Sequence, residues 1–313
     1  MSTDEITLSV QTALKEDLGG TLDPRADLTS ALIPEGTSCE AVIITREAGI
    51  FCGRAWVEEV YRILAGDKVS LEFLAEDGSK IAPGQEIVRL KGDARLVLTG
   101  ERTALNFLQS LSGAATTVSA YTAAIAGTAT KLLDTRKTIP GLRKALKYAV
   151  TCGGGHNHRM GLHDMYLIKE NHIIACGSIS KAVAKAKELR PSADVEIEVE
   201  VASLKELQEA IDAGVDIVML DNFEFEDMEK AVALNDHRCR LEISGNVTID
   251  TIASFAAIGI DYISVGALTK NLRALDMSLR LISEQQAAKP AEDEDQAAAD
   301  TAKVVISDKE SVI

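Results

Sequence analysis

The period of apolar and polar positions changes twice along this chain. Over residues 8–98 a short amphipathic helix gives way to strand-like runs such as AVIITREAGIFCG and IVRLKG, broken by turn signals at Pro34-Glu35-Gly36, Asp77-Gly78 and Pro83-Gly84. Alternation marks half-buried strands and Pro/Gly clusters mark their connections, so this part predicts a small α+β domain. Residues 101–125 then set Leu105, Leu108, Leu111 and Ala115 on one helical face, leading from one domain to the next. Beyond it, short apolar runs (KLLDT, MYLIK, VEIEVEV, DIVML, RLEIS, DYISVG) alternate with helical stretches, two of which close on Gly214 and Gly259. Six such strands predict a parallel sheet with helices outside it, barrel or doubly wound.

In a parallel α/β fold the strand-to-helix loops converge on one pole, and chemistry collects there. The residues at or just past the strand ends are Thr135, Arg136 and Lys137, then Lys169, Glu200, Asp221, Ser244-Gly245-Asn246 and Val265-Gly266-Ala267. Cations and backbone N–H groups suit phosphates, while carboxylates suit ribose hydroxyls or the waters of a magnesium ion.

Charge sharpens this picture. The 313 residues carry 33 Lys and Arg against 48 Asp and Glu, a net −15. Yet the stretch 134–172 holds Arg136, Lys137, Arg143, Lys144, Lys147, Arg159 and Lys169 against Asp134, Asp164 and Glu170, a local 7 − 3 = +4, with four of the five histidines and the triplet Gly153-Gly154-Gly155. An acidic protein that gathers cations and glycines in one place is built for a small, highly charged anion. The acidic balance argues against nucleic acid and anionic membranes. Cys39, Cys52, Cys152, Cys176 and Cys239 are odd in number and lack a C-x-x-C pair, which favours neither a disulfide framework nor a zinc site. Without a signal-like or membrane-spanning apolar run, the expected location is the cytoplasm. Residues 289–313, acidic and alanine-rich, read as a disordered tail.

Simpler readings compete at several positions. The glycine triplet alone would be loop punctuation, and only its nearness to His158 and Arg159 points to a site. Cys152 reads as a small packed hydrophobe rather than a nucleophile. His156, His163 and His172 fit no standard zinc spacing and read as hydrogen-bonded loop residues. Lys144 and Lys147 read as a solvated helix face, Arg143 being open between that and a substrate contact. Glu196, Glu198 and Glu200 share one face of a strand, Glu200 lying nearest its carboxyl end. Asp221-Asn222 would serve equally as a helix cap, and Trp56 reads as core.

These residues carry a family resemblance. In order along the chain, EDLGG, DLTS, LTGERTALNFLQSLSGAATT, LDTRKTIPGLR, GGGHNHRMGLHDMYLIKENH, EVEV, LDNF, SGN and VGALT resemble the quinolinate phosphoribosyltransferases, over nearly everything but the tail. The resemblance implies an incomplete, seven-stranded α/β barrel over residues 113–270 and an amino-terminal α+β open-faced sandwich over residues 1–112, completed by residues 271–288. It also implies transfer of phosphoribose from phosphoribosyl pyrophosphate to quinolinate with decarboxylation, giving nicotinate mononucleotide, with magnesium required and a homodimer, or a hexamer built from dimers, sharing its sites. Arg102, supplied across the dimer, Arg136 and Arg159 would grip the two carboxylates, because guanidinium forks bind carboxylates bidentately. Lys137, His158 and Lys169 would complete the cationic lining. Glu200 and Asp221 would face the ribose. Lys137, Lys169, Glu200 and Asp221 are the catalytic candidates, and Ser244, Gly245, Asn246, Val265, Gly266 and Ala267 would cradle the 5′-phosphate through backbone N–H groups. No protein-held metal is expected. The chain departs from the family in the insertion GGTLDPRA between Asp17 and Asp27 and in Lys270 and Arg273. A related transferase for another acceptor such as nicotinate, and a noncatalytic sensor of phosphate ligands, are the competing readings.

Overall fold

The computed structural model describes residues 3–282; the expected tail lies outside them. The chain opens with α1 (Thr3–Asp17), β1 (Ser38–Thr45), β2 (Gly49–Ile50), α2 (Arg54–Ala65), β3 (Val69–Phe73), β4 (Lys80–Ile81), β5 (Glu86–Asp93) and the long α3 (Ala94–Ala124). It continues through β6 (Lys131–Leu133), α4 (Arg143–Cys152), β7 (Tyr166–Ile168), α5 (Glu170–Cys176), α6 (Ile179–Leu189) and β8 (Ile197–Val201). Then come α7 (Leu204–Asp212), β9 (Ile217–Asp221), α8 (Phe225–Asn235), β10 (Arg240–Ser244), α9 (Ile252–Ala257), β11 (Tyr262–Ser264), α10 (Ala267–Lys270) and β12 (Met277–Leu281).

The first sheet is antiparallel in the order β12-β1-β5-β3, so the last strand of the described chain pairs with the first, Ala41 opposite Leu281. Ile43, Val88 and Leu90 from this sheet share one core with Trp56, Val60 and Tyr61 of α2 and Leu105 and Leu108 of α3. Trp56 stacks on Phe107, ring centroids 6.2 Å apart. The helix α3 starts earlier than its apolar face suggests, because the Asp93 carboxylate caps it, accepting from the N–H groups of Arg95 (2.9 Å) and Leu96 (3.4 Å). Asp17 and Asp27, on either side of the insertion, both hold α3: Thr103 donates to Asp17 (3.1 Å) and Thr99 to Asp27 (2.9 Å). Arg273 pairs with Glu47 at 2.9 Å.

Among the described residues the second sheet has six parallel strands, in the order β6-β11-β10-β9-β8-β7. At the free edge of β6, His156 makes a single parallel bridge to Leu133. His156 N–H donates to Leu132 O (2.8 Å), and Asp134 N–H donates to His156 O (3.1 Å). That bridge stands where a seventh strand would, and β7 does not join it, so the barrel stays open. One face of the sheet, with Val199, Val218, Leu241, Ile243, Ile263 and Leu132, packs beneath Val183 of α6, Leu207 of α7, Ala231 of α8 and Ile252 of α9. The helices form where sequence caps them: Ser178 accepts from Lys181 N–H (3.1 Å) before α6, and Ser203 from Glu206 N–H (3.3 Å) before α7.

Candidate active site

Side chains on a strand alternate between faces, so residues one apart from the apolar set must point into the barrel. They are polar. At the amino-terminal end of the strands Arg240 donates to Glu196 at 2.7 Å and lies over the Tyr262 ring. Deeper in, Glu198 of β8 and Glu242 of β10 are fully buried around the imidazole of His158, whose Nε2 lies 2.8 Å from Glu198 and 3.4 Å from Glu242. At the carboxyl end Lys169 is ion-paired with Glu200, and Asp221 accepts from the Asn222 amide at 3.0 Å.

Two buried carboxylates beside one another raise each other's cost of ionisation. Burial and the charge of Glu242 push Glu198 up to about 7, against the pull of His158. Burial works to lower His158, but its hydrogen bond to Glu198 and the nearby charge of the Glu242 carboxylate outweigh that and raise it to about 10. The backbone N–H of Arg159 lies 2.8 Å from His158 Nδ1 and so works against the doubly protonated ring that the two carboxylates favour, while the proton on Nε2 faces Glu198 in either state. Both ring nitrogens are thus engaged inward, and His158, expected to line the anion site, instead anchors the loop that carries Arg159. One oxygen of Glu198, both of Glu242 and the Oγ of buried Ser264 have no hydrogen-bond partner among the described residues.

A second buried network supports that loop. Lys147, expected on a solvated face, is fully buried; it is ion-paired with buried Asp134 and donates to His158 O at 2.8 Å. Asp134 also accepts from His158 N–H at 2.9 Å. Burial raises Asp134 to about 6, with Lys147 opposing, and burial likewise lowers Lys147. The apolar spacing of α4 concealed this, because a lysine at the helix–barrel seam leaves the same pattern as one in solvent. Lys144, by contrast, is exposed and pairs with Glu5.

The anion-facing groups lie around this support. Arg136 is partly buried and its Nε has no hydrogen-bond partner among the described residues. Burial and then the neighbouring Arg136 charge lower the pKa of Arg159, so two guanidiniums face a common region. Arg159 Nη1 donates to the Met165 carbonyl at 3.3 Å, and Arg143 to the Met160 carbonyl at 3.4 Å and to Thr138 Oγ1 at 3.3 Å. A Cβ built on Gly266 would lie 2.8 Å from Lys137 Cδ and 3.5 Å from Thr135 Oγ1, which joins the turn after β11 to the loop after β6. Thr269 Oγ1 donates to Lys137 O at 2.8 Å, fixing that contact. Gly245 has φ +99°, and a Cβ there would sit 2.2 Å from Asn222 Oδ1, so only glycine lets the loops after β9 and β10 meet. Asn222 itself is left-handed (φ 53°) and donates its N–H to Ser244 O at 3.1 Å; α8 is entered through Glu224 instead, so Asp221-Asn222 is not its cap.

Two expected contributors stand elsewhere. The N–H of Val265 donates to Leu133 O at 3.0 Å, and the side chain is buried in the outer core, so this residue has no amide left for a phosphate. Arg102 is exposed on α3, in the first domain. The glycine triplet is a close-approach device: a Cβ on Gly153 would lie 2.4 Å from Ala115 O of α3. Sequence reasoning missed Glu242, Ser264 and Asp134; an acid in the middle of the apolar run RLEIS was the available signal for the first.

Family models for the quinolinate phosphoribosyl transferase N-terminal and C-terminal domains match residues 27–112 and 114–280. A probable nicotinate-nucleotide pyrophosphorylase [carboxylating] of Bacillus subtilis is 40% identical over 264 residues, covering 84% of this chain and 89% of the relative. The nicotinate-nucleotide pyrophosphorylase [carboxylating] of Mycobacterium leprae is 39% identical over 280 residues, 87% of this chain and 96% of the relative. The solved nicotinate-nucleotide pyrophosphorylase from Francisella tularensis superposes with a TM-score of 0.84 at 46% identity, covering 90% of this chain and 97% of that one. Human nicotinic acid phosphoribosyltransferase shares the fold alone, with a TM-score of 0.54 and 14% identity. With both domain models matched in sequence order and the same architecture in its relatives, this chain belongs to the quinolinate phosphoribosyltransferase family.

Proposed function

We propose that the chain transfers phosphoribose from phosphoribosyl pyrophosphate to the ring nitrogen of quinolinate, releasing pyrophosphate and carbon dioxide and leaving nicotinate mononucleotide for NAD biosynthesis. The observation that carries this reading is the pair Arg136 and Arg159, mutually repelling guanidiniums with no acid among the described residues bonded to either, in a chain of net charge −15. A planar dicarboxylate satisfies two forks at once. A nicotinate acceptor, with one carboxylate, would leave one of them unmatched. A noncatalytic sensor would have no use for Glu200 and Asp221 at the ribose.

In this reading Lys137 and Lys169 complete the lining, and Thr135 orders the loop by accepting Lys137 N–H at 3.0 Å. Glu200 and Asp221 bind ribose hydroxyls and offset the positive charge that develops at the anomeric carbon. The 5′-phosphate takes the amides of Gly245, Asn246, Gly266 and Ala267 with the Ser244 hydroxyl, without Val265. His158 is a positioning residue, held by Glu198 and Glu242 so that Arg159 is aimed. Hard oxygen donors at the mouth suit magnesium, and Glu200 and Asp221 would hold its waters; bound there, it neutralises pyrophosphate charge. Once the ring nitrogen is glycosylated it is cationic and takes up the electron pair left by the departing carboxyl, so the protein need only orient and shield.

Arg102, exposed on α3, serves the site of a second copy in a homodimer. Mixing two inactive variants, Arg102→Ala and Arg159→Ala, restores part of the activity if sites are shared, and none if each chain is self-sufficient. The primary assay supplies phosphoribosyl pyrophosphate and magnesium with either quinolinate or nicotinate. Nicotinate mononucleotide from quinolinate alone supports the proposal; turnover of nicotinate moves the chain to the competing acceptor, and no turnover of either removes the enzyme reading.

A further inference from the structure

At the seam between the first domain and α4, three parts of the chain place two thiols together. Cys52 follows β2 in the first domain, Cys152 is the last residue of α4 in the barrel, and Asp77 stands in the turn before β4. The two sulfurs and an Asp77 oxygen lie within 4.8 Å of one another. Cys52 is buried and Cys152 partly exposed, and both are free thiols.

Asp77 is already committed. One oxygen accepts from the N–H groups of Gly53 (2.9 Å) and Arg54 (3.2 Å) at the start of α2, and the other from the Tyr148 hydroxyl (2.7 Å). A soft metal would therefore find two sulfurs and a carboxylate with one lone pair uncommitted, short of the four ligands zinc takes. What remains is the thiol pair. Its two members sit on elements that different interactions fix: Cys52 N–H donates to Ser112 Oγ (3.0 Å), and Ser112 Oγ donates back to Cys52 O (3.1 Å). Cys152 is carried on α4, and its carbonyl lies 3.4 Å from where a Cβ on Gly78 would be.

We propose that Cys52 and Cys152 form a reversible intrachain disulfide when the protein meets a peroxide or a small organic disulfide, stapling the first domain to the barrel. Cys152 is the attacking thiolate: it is the accessible member, and the neighbouring Cys52 thiol lowers its pKa, while the same proximity and burial raise Cys52 well above the usual thiol range. With hydrogen peroxide, the Cys152 sulfur attacks one oxygen, the O–O bond breaks, and the departing hydroxide takes a proton to become water. The Cys52 sulfur then attacks the Cys152 sulfenic acid, the S–O bond breaks, and hydroxide leaves with the Cys52 proton as a second water. Two thiols are oxidised and one peroxide is reduced. A sulfur–sulfur bond is about 2.05 Å long, so the sulfurs must close on one another. With Cys52 pinned on both sides by Ser112, the movement falls on the last turn of α4 and the glycine triplet behind it.

Bond formation does not depend on what the site binds, so the test reads thiols rather than turnover. The reduced full-length protein is treated with hydrogen peroxide or oxidised glutathione, remaining thiols are alkylated, and tryptic peptides are weighed. The expected result is one species linking residues 47–54 (EAGIFCGR) to residues 148–159 (YAVTCGGGHNHR), lost on adding dithiothreitol, absent in Cys152→Ser and retained in Cys176→Ser. In Cys52→Ser, glutathione should remain on Cys152, having no resolving partner. Two outcomes overturn the proposal: a stable glutathione adduct on Cys152 of the unsubstituted protein with Cys52 still alkylatable, or stoichiometric zinc in the purified protein that Cys152→Ser loses, which would make the cluster a metal site.

Discussion

The two faces of the parallel sheet are made from the same strands and obey opposite rules. Outside, Val199, Val218, Leu241, Ile243 and Ile263 are apolar and packed under helices. Inside, the neighbours one position along on β8, β10 and β11 are Glu198, Glu200, Arg240, Glu242 and Ser264, with Met219 of β9 between them, and most of the polar ones face another charged group. The outer face holds the fold through area removed from water. The inner face holds a geometry, at a cost in burying charge that only pairing offsets. A single alternation thus divides stability from chemistry.

The sharpest way to break this division is Lys147→Met, which leaves Asp134 buried without its cation. Removing one partner of a buried pair costs about 3–5 kcal/mol, read as a lower urea midpoint, whereas Lys144→Ala, at the exposed pair with Glu5, should cost less than about 1 kcal/mol. Equal effects would mean the inner network contributes nothing special. On the outer face, Ile243→Ala should lower stability by about 2–4 kcal/mol through a cavity, with the KM for quinolinate unchanged. Arg159→Ala inverts that pattern: the urea midpoint stays close to that of the parent, while kcat/KM for quinolinate falls on the order of 100-fold, and binding of phosphoribosyl pyrophosphate measured by calorimetry changes far less. Equal losses for the two substrates would displace Arg159 from the dicarboxylate.

The smallest effect is a slope. Glu198 is raised to about 7 and Asp134 to about 6, so the folded protein holds protons that the unfolded chain has released. Their contribution is complete below the unfolded carboxylate range and is lost as pH rises through about 6 to 7, at most roughly 1.4 kcal/mol per pH unit for each group. The urea midpoint measured at pH 5 and at pH 7.5 should therefore fall less in Glu198→Gln than in the unsubstituted protein. A steeper fall in the variant would reverse the assignment.

Much of this was legible in the residues. Each of the six strands lies within one of the short apolar runs, β9 alone passing the end of its run by one residue, and the pole they define carries the expected Arg136, Lys169, Glu200 and Asp221, because apolar runs and strand polarity are local properties of the sequence. What escaped was set by tertiary partners. Lys147 looks solvated by spacing and is buried by Asp134. His158 looks like a ligand-facing cation and is turned inward by two glutamates, one of them on a strand 44 positions beyond the other, Glu198 to Glu242. Val265 sits in a promising turn, yet its N–H is spent on a neighbouring strand. No periodicity reports which side of a seam a long side chain enters, or which amide a sheet has already used.

The pairing of Ala41 with Leu281 bears on how the protein is made. As the chain leaves the ribosome, the first sheet lacks one of its edge strands until nearly the whole barrel has been synthesised. For that interval β1, with four successive apolar residues Ala41–Ile44, presents an unpaired edge of the kind that recruits other strands. The first domain to emerge is consequently among the last to be completed, and a chaperone that shields early β-structure would matter more to this protein than one that acts after release.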